Sequence, residues 1–360
     1  MSTDARDRWL VYVGTYTNRN SRGIYSLKMD RSTGALTRPE VAVEASNPAF
    51  VRPAHGGTRL YAAADSAEGD SSGKILAFSV DRSNGALRPL GQRTSPGESA
   101  CYLAIDGAGK VVLAANYTSG SVTVFPVLGD GSLGELTQTL RHEGSSVNPD
   151  RQEAPHPHSI NLDAAGRFAY SPDLGADKIY IYHLDAASAT LSPALTPWVH
   201  SSAAGAGPRH FAIHPGGEFA YVINELASTI TAYDLDAATG SLSEIETVST
   251  LPDDYGEVNY TADVYVLPSG KFIYSSNRGN DSIAIFAIDS DTGRLSLVGR
   301  EPTQGKTPRG FAISPGGEFL VAANEDSDTL VVFRIDQATG ELSPTGDVAE
   351  VPEPTCVALI

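Results

Sequence analysis

Cysteine is scarce: Cys101 and Cys356 are the only two in 360 residues. Two thiols cannot build a disulfide framework or a four-cysteine zinc site. Positive charge is scarce as well. The chain has 26 Lys and Arg against 43 Asp and Glu, a formal net charge of −17. Such a chain repels phosphate backbones and anionic lipid, which argues against nucleic acid and membrane surfaces as partners. An anionic small molecule would need local arginines to overcome that field. No run approaches about 18 consecutive apolar residues, so no transmembrane helix is expected. The start, "MSTDARDRWLVYVG", lacks a basic segment followed by a long apolar one, so no signal peptide is expected. A soluble, cytoplasmic protein is the expectation. No window holds a sustained helical period.

Repetition is what the chain does have. A Gly-x-Leu turn follows a polar, Asp-containing cluster at Gly34, Gly85, Gly131, Gly240, Gly293 and Gly340. "ASATL" supplies a seventh copy, with Ala189 in place of glycine. The spacing stays near fifty residues. Each unit reads as four strands. From residue 208, "RHFAIHP", "FAYVINE", "TITAYDLD" and "LSEIETVST" are β-rich runs separated by Gly, Pro, Asp and Ser clusters. Seven such units predict an all-β fold, a seven-bladed β-propeller of four-stranded antiparallel blades. One domain over residues 1–360 follows; two sandwich domains would not share one period. The chain begins mid-unit, since "LVYVGTY" matches a second strand, and ends on "PTCVALI", which matches a first strand. The C-terminal strand is therefore predicted to close the ring and remove an open edge.

Aligning the units separates scaffold from chemistry. Gly217 aligns with Gly109, Gly166, Gly270 and Gly317. At the start of the first strand, Arg209 aligns with Cys101, His158, Ala262 and Arg309. At the end of the second strand, Glu225 aligns with Tyr117, Leu174, Arg278 and Glu325. The second unit places Ala49 and Asp65 at these positions. In an up-and-down blade both positions reach the same face, at the mouth of the central channel. His158, Arg209, Glu225, Arg278, Arg309 and Glu325 are thus expected to converge there. Three long links enter first strands on that face: "RHEGSSVNPDRQEAPHP" from Arg141, "TPWVHSSAAGAGP" from Thr196 and "LPDDYGEVNY" from Leu251. Long loops on one face of a regular scaffold carry binding.

Taken singly, Arg209 and Arg278 would suit inter-blade ion pairs, and Glu225 a loop partner. Their coincidence with His158 at one mouth points to a site. His156 and His158 could start a metal site, but no third ligand has suitable spacing and Pro157 disfavours regular pairing, so neither metal nor cofactor is expected. His210 and His214 read as structural. Cys101 has no evident base, so a nucleophilic role is not expected.

"GAGPRHFAIHPGGEFAYVINEL", "VYVGTYT" and "PRGFAISP" carry a resemblance to the seven-bladed lactonase propellers. That family includes bacterial 6-phosphogluconolactonases and a fungal carboxymuconate-cyclising enzyme, and the resemblance spans the chain. It implies hydrolysis of a sugar lactone, hence a carboxylic ester hydrolase of carbohydrate metabolism. It also implies catalytic roles for His158 in "HPHSINLD", Arg209 in "GPRHF", Glu225 in "VINEL" and Arg278 in "SSNRGNDS". Arg309 and Glu325 are expected to orient substrate. The expected partner is a small-molecule lactone, without nucleic acid or membrane, bound by a monomer or weak oligomer. The chain departs from the family in the extra His156. Lysines are also few, with no cluster ready for a phosphate. A muconate-type lactonising cycloisomerase and a non-enzymatic binding propeller are the rivals. Either Glu225 or His158 could take a proton from water.

Overall fold

A computed structural model describes residues 7–65 and 72–360. Seven four-stranded antiparallel sheets follow one another along the chain and form the predicted propeller. Blade one holds the N-terminal strands, and blades two to seven span residues 50–98, 100–141, 161–200, 208–249, 260–302 and 308–350. No helix among the described residues is long and apolar enough to cross a membrane.

The fifth blade shows why these sequences make these strands. Its second strand, Phe219–Asn224, is buried at every position. Neighbouring blades cover both faces of the sheet there, so the run is continuously apolar instead of alternating. Its fourth strand, Leu242–Ser249, lies at the rim and is largely exposed, so polar residues suffice. Closure is as the sequence predicts. Pro354–Leu359 pairs with Arg8–Thr15, with Val357 opposite Val13 and Ala358 opposite Tyr12. The fourth blade departs from the regular reading. Its innermost strand is reduced to Asn161–Leu162, preceded by an isolated bridge from Pro157 to Asp173. Pro157 has no N–H to give a ladder.

The repeated turn is an inter-blade latch. Tyr221 donates its hydroxyl to the carbonyl of Gly293 in the next blade at 3.1 Å. Tyr12, Tyr61 and Tyr274 do the same to Gly85, Gly131 and Gly340 at 2.7, 2.9 and 2.9 Å. Gly293 has φ 69°, and a Cβ there would sit 2.5 Å from the Phe219 ring. Glycine is thus required twice, by conformation and by space. Ala189 keeps the left-handed φ of 50°. The preceding blade offers it Val111 and Leu113 where the fourth, fifth and sixth blades place Phe and Tyr, and Thr137 caps the Ala189 carbonyl at 2.6 Å instead.

Removing residues 353–360 unpairs the inner face of blade one. The truncated chain is expected to aggregate or melt far below the full chain; an unchanged melting temperature would refute the closure. The latches make a finer test. Tyr221→Phe strands a buried carbonyl and is expected to cost about 1 kcal/mol in urea unfolding. Tyr170 has a buried hydroxyl with no hydrogen-bond partner, so Tyr170→Phe is expected to be neutral or stabilising.

Candidate active site at the channel mouth

In the first, third, fifth, sixth and seventh blades the innermost strand delivers its mouth residue through an irregularity. In the fifth blade Pro208 pairs with Asn224 and His210 with Ile223, leaving Arg209 as an extra, unpaired residue. Arg309 in the seventh blade and Cys101 in the third occupy the same bulge. In the sixth, pairing jumps from Thr261 to Val264, so Ala262 and Asp263 fill it. A bulge bends its strand and re-aims a side chain, which here supplies the turn toward the mouth. In the fifth, sixth and seventh blades an asparagine, Asn224, Asn277 or Asn324, stands at or next to the end of the second strand. Ser201 donates to Asn224 at 2.6 Å and Thr250 to Asn277 at 2.7 Å. The next residue then reaches the mouth: Glu225, Arg278 or Glu325.

Glu225 is the centre of the cluster. Its Oε2 lies 2.8 Å from Arg209 Nε and 3.1 Å from Arg278 Nη2, and its Oε1 lies 2.7 Å from Arg151 Nη2. The carboxylate is 4 % exposed. Burial alone would raise its pKa, but Arg278, Arg209 and Arg151 outweigh that and hold it at about 2. Burial and the nearby Arg278 bring Arg209 down to about 10, still a cation at neutral pH. Arg209 Nη1 also donates to the Ala262 carbonyl and meets His210 Nε2 at 3.2 Å. His210 Nδ1 lies 2.8 Å from Asp263 Oδ1. His210 therefore accepts from Arg209 on one side and donates to Asp263 on the other. Burial, then Arg209, lowers its pKa to about 4. The expected structural role of His210 becomes a specific one, bracing Arg209. His214 serves a turn, with Nε2 3.1 Å from the Gly270 carbonyl.

His158 is buried beside this group, its ring centroid 5.3 Å from that of His210 and 5.2 Å from that of Tyr117. Burial, Arg209, His210 and Arg309 drive its pKa well below the usual histidine value, so the ring is neutral. Its Nδ1 is buried with no hydrogen-bond partner. Arg309 donates from Nη2 to the Tyr16 hydroxyl at 2.6 Å and lies 3.7 Å from Glu325 Oε2. Glu325 Oε2 is buried and accepts no hydrogen bond from the protein, and Arg278 Nε is likewise unpartnered. Unsatisfied buried groups are rare in native proteins and ask for a reason; here four share one mouth, the fourth being Arg209 Nε, which faces Glu225 Oε2 as an ion pair without making a hydrogen bond. Burial pushes the Cys101 thiol up to about 12, which leaves no thiolate for nucleophilic work. Among the described residues, no group of three or more His, Cys, Asp or Glu side chains is placed to hold a metal ion.

Two contacts lie beyond the six expected residues. Tyr16 was findable, because Tyr12 aligns with Tyr221, and four residues on Tyr16 takes the place of Glu225 in the split first unit. Arg151 was not, because it comes from the long loop and has no register to follow. Buried Gln152 holds it in place. Gln152 Nε2 donates to Asp177 Oδ1 at 2.7 Å, and Asp177 also accepts from Ser146 Oγ and the amides of Gly205 and Gly207. Asp177 thereby knots the loop bearing Arg151 to the one entering the fifth blade. That second loop is shorter than expected, since the strand Thr190–His200 takes up its first residues. Tyr260, from the third long link, lies under the Arg151 guanidinium at 5.7 Å.

The family model described as "Lactonase, 7-bladed beta-propeller" matches residues 10–359. The chain belongs to this lactonase family. A 6-phosphogluconolactonase of Bacillus subtilis (strain 168) is 38% identical over 304 residues, 84% of each chain. Another from Formosa agariphila is 33% identical over 310 residues, covering 84% of this chain and 86% of the relative. Among solved structures, the Pseudomonas aeruginosa periplasmic gluconolactonase matches with TM-score 0.92 at 31% identity, over 98% of this chain and 99% of that one.

The Glu225 cluster makes stability depend on pH. A carboxyl held at about 2 in the fold, below an ordinary 4.5, stabilises fully above 4.5 and loses that contribution as pH falls toward 2. Glu225→Gln is expected to cost about 3 kcal/mol at pH 7, because three guanidiniums lose their counter-charge. The gap between wild type and variant, read by urea unfolding, should close between pH 4.5 and 2. A gap that stays constant with pH would refute this account.

Proposed function

We propose that the chain hydrolyses a sugar lactone, with a phosphorylated six-membered lactone as the preferred form, at the channel mouth. One observation carries the reading. Four guanidiniums, of Arg151, Arg209, Arg278 and Arg309, meet two carboxyls, of Glu225 and Glu325. The mouth is a cationic pocket in a chain of net charge −17. A neutral substrate gives no reason to bury such a surplus; an anionic one does. This revises the expectation that no basic cluster awaits a phosphate. The relatives named as 6-phosphogluconolactonases support the substrate class.

In the proposed reaction a water attacks the lactone carbonyl carbon and negative charge develops on the carbonyl oxygen. Arg209 and Arg278 are fixed by Glu225 before substrate arrives, so they meet that charge without rearranging. The unpartnered Nε of Arg278 is the donor left open to it. Neutral His158, with its free Nδ1, can hydrogen-bond the ring or its hydroxyls. Arg309, braced by Tyr16, and Arg151, at the rim, suit the distal anion. We place the protein in the cytoplasm, where a charged sugar phosphate is retained; fractionation checks this, since the Pseudomonas relative is named as periplasmic.

Purified protein is expected to open gluconolactone and its 6-phosphate above the spontaneous rate, faster for the phosphate, and to do so after treatment with a chelator. Arg209→Ala and Arg278→Ala should each lower kcat by about 10- to 1000-fold, and His214→Ala should change it little. If neither lactone opens above background, the lactonase reading gives way to cyclisation, tested by absorbance change with a muconate.

A further inference from the structure

Opening a lactone requires a group that takes a proton from the attacking water, and the mouth holds three that could. They differ in what already surrounds them. Glu225 has three guanidiniums against it, Arg151 hydrogen-bonded to Oε1 and Arg209 and Arg278 within 3.1 Å of Oε2, and this positive surround holds it as the anion and opposes its taking a proton. His158 sits in a positive field set by Arg209 and Arg309, which opposes taking on a proton. Glu325 is different. Its one charged partner is Arg309 Nη1, at 3.7 Å, beyond hydrogen-bond length, and its Oε2 is buried with no donor from the protein. Its backbone is fixed, with its amide donating to Thr307 O and its carbonyl accepting from Arg19. Arg278 lies within electrostatic reach of both Glu225 and Glu325.

We propose that Glu325 is the general base of the hydrolysis, and that Glu225 is a positioning anion that holds Arg209 and Arg278. The assignment rests on the lactonase reading above. Burial raises Glu325 above the ordinary glutamate pKa; Arg309 opposes this, Asp326 adds to it, and Arg278 and Arg19 oppose it more weakly. Two carboxyls pushed in opposite directions are the usual mark of divided roles. The step balances. Water oxygen bonds to the carbonyl carbon as its proton passes to Glu325, giving a tetrahedral oxyanion held by the guanidiniums. The carbonyl re-forms, the ring C–O bond breaks, and the departing ring oxygen takes the proton back from Glu325. Lactone and water become a hydroxy acid with no other reactant.

The test compares Glu325→Gln, Glu325→Gly and wild type on the lactone that wild type opens, between pH 4 and 7, where spontaneous opening is slow. Glu325→Gln is expected to lower kcat by about 100-fold or more with KM changed less than about threefold. The wild-type acid limb of kcat/KM should lie above 4.5, the ordinary glutamate value, and vanish in Glu325→Gln. Added formate should restore at least tenfold activity to Glu325→Gly, a response that a merely structural residue would not show. Should the glycine variant fail to fold, the pH profile of Glu325→Gln decides alone. A folded Glu325→Gln with wild-type kcat and acid limb overturns the proposal, as does a folded glycine variant that formate leaves inactive. A wild type that opens no lactone fails earlier, on the reading beneath.

Discussion

A buried guanidinium without a counter-charge costs several kcal/mol, and the channel mouth sets two buried ones, with the half-buried Arg151, around one carboxylate. Glu225 offsets that cost by touching Arg209, Arg278 and Arg151 with two oxygens. Those arginines come from the bulge of the fifth blade, the end of the sixth blade's second strand and a long loop. One side chain therefore joins three separate pieces of chain. The bulge must aim Arg209 inward, Asn277 must end its strand beside the mouth, and Asp177 must hold the loop on its knot. Each device is intelligible once the carboxylate is taken as fixed. The His210–Asp263 pair braces the same arginine from behind.

The electrostatics of the mouth invert those of the molecule. Acidic turns such as those of Asp30 and Asp236 spend their carboxylates on local hydroxyl and amide donors. The basic groups at the mouth instead retain unpartnered donor positions under cover. Long-range repulsion of an anion by a net charge of −17 is screened beyond about 8 Å in physiological salt. Within that distance the four arginines govern.

Much of the architecture was legible because the turn chemistry is local. A Gly-x-Leu turn needs its glycine for φ and for the aromatic ring of the preceding blade, so it recurs visibly. Ring closure was legible because a split unit leaves complementary halves at the two ends. The six candidate residues were legible as variable letters at two repeated positions. The bulges were not, since an extra residue in a ladder changes pairing without changing composition. Tyr16 stands at the same register position as Glu225, hidden by the split unit. Arg151 lay beyond any register, because its position is set by a hydrogen-bonded knot between loops that no local pattern encodes. The truncated inner strand of the fourth blade escaped for a related reason: Pro157 interrupts the ladder where the repeat alone implied a full strand.

Seven-fold repetition gives the mouth two side-chain stations per blade, and they are unequally filled. Ionisable and aromatic groups fill some, while Ala49, Cys101, Ala262 and Thr355 leave others small. Where a bulge and a strand-ending asparagine set its direction, as in the fifth and seventh blades, a station can be exchanged without altering the ladder behind it. The ring is thus a modular chassis. Lineages built on it can widen, block or recharge one sector of the entrance by single substitutions, and the arginine cluster across the channel stays intact while they do so.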